Sequence, residues 1–261
     1  LPALFCRQMM HVVPEHLAPG VRFGVHRMAQ TVNQSAAVKG LLVEHLGEVV
    51  GHTALVVPVS DMLFDVVHHG HDLAVGAAVA GALAFVRGTE FIFHPVNRLD
   101  KGTTGLMVIA KSGYVHDLLR RSLHTDRFRR EYLAVCVGTP PSGSGTIDAP
   151  IGRDETSTVR RCVRPDGSPA VSHYRVLETR DGLTLVALLP ETGRTHQLRV
   201  HMASIGCPLA GDWLYGTEDP TLIARPALHS HRLTLIHPIT GDTLNLTAPP
   251  PEDLIRLFPD L

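Results

Sequence analysis

The chain of 261 residues has no run of 18 or more uninterrupted apolar residues, which argues against a helical membrane span. Its first residues lack a basic start, a long apolar segment and a small-residue cleavage site, so no secretory leader is expected. Cysteine is sparse: Cys6, Cys136, Cys162 and Cys207 are scattered without paired spacing. That argues against a disulfide frame and points to reduced thiols in a cytoplasmic protein. No phosphate-binding glycine loop and no Cys-x-x-Cys pair is present, so neither a nucleotide nor a redox or metal cofactor is signalled. Neither sign of charge is in excess, with 24 Lys and Arg against 25 Asp and Glu. A net charge of −1 excludes a polybasic coat but leaves room for a local basic groove. There is no internal repeat and no low-complexity tract.

What is present becomes organised after about residue 90. Before it, the chain is rich in Val, Ala, Gly and His, with a strand-like piece at Thr53–Val59 and an Ala-rich helix candidate at Leu73–Val86. After it, Leu106–Ala110 predicts a buried strand. Ser112 is placed to cap a helix running to about His124, with Val115, Leu118 and Leu119 on one face. Tyr132–Val137 predicts a strand, residues 138–146 a loop, and Ala170–Thr179 with Leu183–Leu189 a hairpin turned by Arg180-Asp181-Gly182. A helix is expected over Thr195–Ile205, stopped by Gly206 and Pro208. Its apolar stripe would be Leu198, Met202 and Ile205, leaving His196, Arg199 and Ala203 on another face, with Arg199 free to enter a cleft. Strands at Leu228–Ile236 and Thr243–Thr247 and a short helix at Pro251–Phe258 close the chain. Strands in succession with irregularly spaced helices indicate an α+β fold.

Two segments concentrate the chemistry. Asn97-Arg98-Leu99-Asp100-Lys101-Gly102-Thr103-Thr104-Gly105 sets a carboxylate in a turn between apolar runs. Asp100 there is either a turn aspartate tied to Thr103 and Thr104 or a catalytic group at a sheet edge. Glu191 to His201 packs two arginines, two histidines and a glutamine around a helix start, a place that attracts anions. Arg199 could pair with a carboxylate and hold it ionised. Arg120, Arg121, Arg127, Arg129 and Arg130 form a local basic cluster, either a solvated face or a phosphate-binding one. His196 and His201 are five apart with no Glu following His196, so the zincin pattern is absent, and His68, His69 and His71 lack acidic or cysteine partners at ligand spacing.

Taken together and in order, these segments resemble the RluA-type RNA pseudouridine synthases. The family's first motif, His-Arg-Leu-Asp followed by two variable residues and Thr-Ser-Gly, stands here with Asn97 for the His and Thr104 for the Ser. Arg130-Glu131-Tyr132-Leu133-Ala134 resembles the tyrosine motif. Arg194 to His201 with Gly206 to Gly216 resembles the third block, and Ala227-Leu228-His229 through His237-Pro238 the C-terminal hairpin. The resemblance implies a pseudouridine synthase fold: a mainly antiparallel mixed sheet flanked by helices, with the active-site cleft across the sheet. It implies Asp100 as nucleophile on a flipped uridine, Tyr132 stacking on the base and assisting proton removal from carbon 5, and Arg199 paired with Asp100. Arg98 would extrude the base, while Arg194, His196, Arg129 and Arg130 would contact RNA. The implied partner is ribosomal or transfer RNA, acted on by a monomer with no metal or organic cofactor. Residues 91–261 form the expected catalytic domain. Residues 1–90 lack the family's Asn-Lys-Pro strand end and His-Pro element, and stand as a divergent or inauthentic segment. Two other readings compete: a non-catalytic RNA-binding relative, and a metal-dependent hydrolase using the histidines.

Overall fold

In the computed structural model the described residues are 94–110 and 112–261, with the backbone of 57–59 and 62–67. The helix expected at 73–86 and the histidines at 68, 69 and 71 lie outside them. Strands β1 (Val57–Val59), β2 (Met62–Val67), β3 (His94–Pro95) and β4 (Thr104–Ala110) come first, followed by helix α1 (Gly113–Ser122). Then come β5 (Phe128–Val137), β6 (Ser144–Asp148), β7 (Ile151–Arg153), β8 (Arg161–Val163), β9 (Val171–Arg180) and β10 (Leu183–Pro190). Helix α2 (Gln197–Ser204), β11 (Leu228–Ile236), β12 (Thr243–Thr247) and α3 (Glu252–Leu257) complete the order.

Ten strands form one sheet in the order β1-β2-β4-β11-β5-β10-β9-β6, with β12 added to β11 and β3 to β4; β7 and β8 form a separate ribbon. Among the described pairings only β4 with β11 is parallel. The α+β fold and the mixed, mainly antiparallel sheet are therefore as expected. Strand β2 runs beside β4 for six residues, so the sheet continues upstream of residue 91.

Local chemistry explains most elements. Ser112 caps α1, its Oγ accepting from the Val115 amide, and Arg120 and Arg121 sit in the last turn where cations suit the helix dipole. The β9–β10 hairpin turns at Asp181 and Gly182, both at positive φ (51° and 77°), the pairing that a type I′ turn requires. Helix α2 ends in a Schellman arrangement: Gly206 N–H donates to Ala203 C=O and Cys207 N–H to Met202 C=O, both at 3.0 Å. Two differences from expectation have physical causes. Strand β6 begins at Ser144, inside the predicted loop, because its Ser-Gly-Thr start carries no apolar period and is fixed only by pairing with β9. Strand β5 begins at Phe128 rather than Tyr132, so Arg129 and Arg130 lie within it and face opposite ways.

Three apolar clusters cover the sheet. Val108, Val115, Leu119, Phe128 and Leu235 pack under α1. Tyr132, Val186, Leu188, Leu198 and Met202 pack under α2, and Val135, Leu185, Ile223, Leu254 and Phe258 under α3. Val96 belongs to the first cluster and Leu99 packs against the second. The segment that leads to Asp100 is thus pinned at two points in two separate cores.

Candidate active site

A cleft of about 360 Å³ opens between the 95–103 segment and the 190–198 lead into α2. That is enough for a small ligand, since such sites occupy roughly 300–1,000 Å³. Asp100, Arg98, Arg130, Tyr132 and Arg194 all line it, with Thr103, Gln197, Leu198 and Leu228. Five of the eight site residues expected from sequence therefore meet in one place.

The turn that carries Asp100 is built from backbone hydrogen bonds. Thr103 N–H donates to the Asp100 carbonyl at 2.9 Å. Val96 N–H donates to Val108 C=O, and the buried Asn97 takes the Val108 N–H on its Oδ1 at 2.9 Å. Asn97 thereby does a structural task, satisfying a strand donor that the incoming segment would otherwise leave unpaired. Thr104 donates its hydroxyl to Nδ1 of His229 at 2.8 Å, because His229 Nε2–H is committed to the Ala248 carbonyl. Gly105 closes the motif where β4 approaches β11. A Cβ there would collide with the backbone of Ser230, so this position admits only glycine. Asp100 itself is half-buried and, among the described residues, takes part in no ion pair.

Tyr132 is buried in the floor, opposite Ser230 in the β5–β11 register. Burial pushes its hydroxyl pKa up, and the Asp100 charge adds to this; Arg130 and Ser230 at the phenol oppose it. Tyr132 is thus an O–H group at neutral pH. Arg130, two residues earlier on the same face of β5, is nearly buried and reaches the Thr192 carbonyl. Arg98, exposed at the mouth, spans the cleft to Thr195 Oγ1 at 3.4 Å. Arg194 donates to the Pro169 carbonyl from the rim.

The other three expected residues sit elsewhere. Arg129 is on the opposite face of β5, exposed and paired with Asp126 at 3.0 Å. His196 lies behind the wall in the left-handed region, its Nδ1 2.8 Å from the Tyr215 hydroxyl. Burial lowers its pKa, with the Asp100 charge acting the other way. The largest correction concerns Arg199. It does not enter the cleft or pair with Asp100: it is fully buried and makes a two-pronged bond to Asp212, Nε to Oδ2 and Nη2 to Oδ1, both at 2.6 Å. Its guanidinium also lies over the rings of Trp213 and Tyr215, 5.4 and 5.2 Å from their centroids. The cause is burial. Every residue from Gln197 to Met202 is buried, so α2 has no free face in its first turns and its cation needs an internal partner. Asp212, itself fully buried, supplies it and is further held by the amides of Leu214 and Tyr215.

Sequence reasoning missed Asp212 as a partner, and also Tyr215, Trp213 and Arg225. The Gly211-Asp212 and Tyr215-Gly216 pairs were the available signal. Among the described residues no group of three or more His, Cys, Asp and Glu is placed to hold a metal ion, and no helix is long and apolar enough to cross a membrane.

Comparison with known proteins identifies the family. The family profile for RNA pseudouridylate synthase matches residues 69–204, more than half of the chain. The chain belongs to the RluA-type RNA pseudouridine synthases. It is 45% identical over 171 residues to an uncharacterized RNA pseudouridine synthase of Bacillus subtilis, covering 66% of this chain and 60% of that protein. It is also 45% identical over 176 residues to ribosomal large subunit pseudouridine synthase D of Escherichia coli, covering 62% of this chain and 54% of the relative. The chain thus spans little more than half the length of such relatives. Among solved structures, human RNA pseudouridylate synthase domain containing 4 superposes with a TM-score of 0.66 at 23% identity, over 85% of this chain and 98% of its own, which supports the fold. In this sheet Asp100 and Tyr132 line the same cleft. The family match begins upstream of residue 91, as does the sheet.

Proposed function

We propose that this protein isomerises uridine to pseudouridine in RNA, with Asp100 as the nucleophile. The observation that carries the reading is the convergence of Asp100, Tyr132, Arg130 and Arg98 on one cleft, in a chain of this family. In the reaction the bond from N1 to the ribose C1′ breaks, the uracil turns, and C5 bonds to C1′. C5 loses its proton and N1 gains one, so atoms balance without oxidant or co-substrate. Asp100 suits attack because, among the described residues, its carboxylate is not engaged in an ion pair while its backbone is fixed. Tyr132 offers a ring for the base and an O–H held in that form by burial. Its part is stacking and hydrogen bonding rather than that of a standing phenolate base.

The target base must leave its stack, at a cost of a few kcal/mol. Arg98, exposed at the mouth, fills the vacated position, and Arg130 and Arg194 meet phosphate from the wall and rim. Arg199, paired with Asp212 outside the cleft, holds α2 and the wall it carries in place. The relatives named for the large ribosomal subunit favour ribosomal RNA over transfer RNA as substrate. The protein works as a cytoplasmic monomer without metal or organic cofactor. Pseudouridine mapping of total RNA from cells with and without the gene tests the reading. Loss of at least one site, in ribosomal RNA first, is expected; unchanged maps would reject it.

A further inference from the structure

Among the described residues, Arg225 makes more directed hydrogen bonds than any other arginine near the site. Its side chain is 7% exposed. The two N–H groups of Nη1 are shared among three carbonyls: Gly102 at 3.0 Å, and Pro226 and Leu228 at 3.1 Å. The other edge of the guanidinium grips Asp253 of α3, with Nε to Oδ2 and Nη2 to Oδ1 both 2.7 Å. Gly102 is two residues from Asp100 and lies inside the hydrogen-bonded turn that carries it. Pro226, Arg225 and Trp213 also crowd Gly102, where a Cβ would meet all three. Leu228, whose carbonyl Arg225 holds, lines the cleft. One planar cation therefore fixes both the Asp100 turn and the Leu228 wall, and is itself aimed by a carboxylate on the C-terminal helix.

We infer that Arg225, oriented by Asp253, is a positioning residue that holds the Asp100 turn in its reactive geometry and makes α3 part of the catalytic apparatus. The chemistry requires a guanidinium. A fork is needed to engage both carboxylate oxygens while a third nitrogen stays free for carbonyls, and an ammonium cannot do both in this geometry. Small displacements matter at such a position, since a nucleophile misplaced by about 1 Å can cost on the order of 100-fold in rate. The inference rests on the proposed isomerase reading.

The test compares the full chain with Arg225→Lys, Arg225→Met and Asp253→Ala, in two measurements. The first is single-turnover pseudouridine formation, with RNA affinity measured separately. Both Arg225 variants are expected to lose about 10- to 100-fold in rate, with affinity changed less than twofold, and Asp253→Ala to lose less. Unchanged rates in folded variants would overturn the inference, as would weaker affinity at unchanged rate. The second is hydrogen exchange at the Thr103 amide, relative to amides of the β10 core. Selective acceleration at Thr103 is expected in all three variants. A uniform change across the protein would show a merely structural role and overturn the inference. If the wild type makes no pseudouridine, the isomerase reading fails, and the exchange measurement still decides whether the brace exists. If Arg225→Met does not fold, Asp253→Ala carries both arms.

Discussion

Asp100, in the cleft, and Asp212, outside it, have opposite surroundings. Asp212 is fully buried, and its carboxylate accepts from two guanidinium nitrogens of Arg199 and from the amides of Leu214 and Tyr215. Asp100 is half-buried in the cleft, free of ion pairs among the described residues, and held instead through its backbone carbonyl. A carboxylate held by four donors in a dry interior is a structural anchor. One with no ion-pair partner among the described residues, while the chain around it is fixed by Val96, Asn97 and Leu99, is set up for reaction. The difference lies in how each is held, and it separates reactivity from stability.

Exchanging the effects of the two groups gives the strongest predictions. Asp100→Asn should lower the isomerisation rate by about 10⁴-fold or more, as removal of a nucleophile does, while thermal and chemical unfolding stay where they were. Asp212→Ala should cost about 3–5 kcal/mol in chemical denaturation, because it leaves the Arg199 charge buried without a counter-charge. A stable Asp212→Ala protein would show that the pair is dispensable and erase the contrast.

The support under Asp100 is the next target. Asn97→Ala should destabilise by about 1–3 kcal/mol, since the Val108 amide loses its acceptor inside the core. It should also slow catalysis, because the same side chain fixes the entry to the turn. Equal stability to wild type in urea would contradict this.

The smallest effect comes from histidines behind and around the site. Burial lowers the pKa of His201, His196 and His231 below the usual value. For His201 the neutral form is built in: Nε2–H donates to the Ala149 carbonyl, and Nδ1 accepts from Ser172, whose oxygen accepts from Gln197. As pH falls below about 6.5, the unfolded chain takes up protons that the folded one refuses. Stability is therefore full above that pH and lost as pH drops, by at most about 1.4 kcal/mol per pH unit for each histidine. Denaturation curves between pH 7.5 and 5 check the sign; greater stability at pH 5 would refute it.

Much of the site was legible in the sequence because motif order survives folding. Asp100, Arg98, Tyr132, Arg130 and Arg194 reached one cleft as expected. The α1 cap at Ser112, the Asp181-Gly182 turn and the C-terminal strand pair followed from local chemistry alone. The partner of Arg199 did not. Spacing along the chain cannot rank Asp100 and Asp212 as its partner; burial does, and burial emerges only when α2 is packed on all sides. Arg129 and Arg130 were equivalent as neighbours in a basic cluster, until the strand's alternation sent one to the floor of the cleft and the other to solvent. Arg225 carried no signal by itself, since its meaning lies in three backbone carbonyls.

The most direct measurement is tritium release from RNA carrying 5-³H-uridine, because forming the C5–C1′ bond must displace the hydrogen on C5. Wild-type protein is predicted to release tritium in step with pseudouridine formed. Asp100→Asn, folded and melting at the same temperature, is predicted to release none. Release by the Asp100→Asn protein at a rate near that of the wild type would contradict the assignment of Asp100 as the nucleophile.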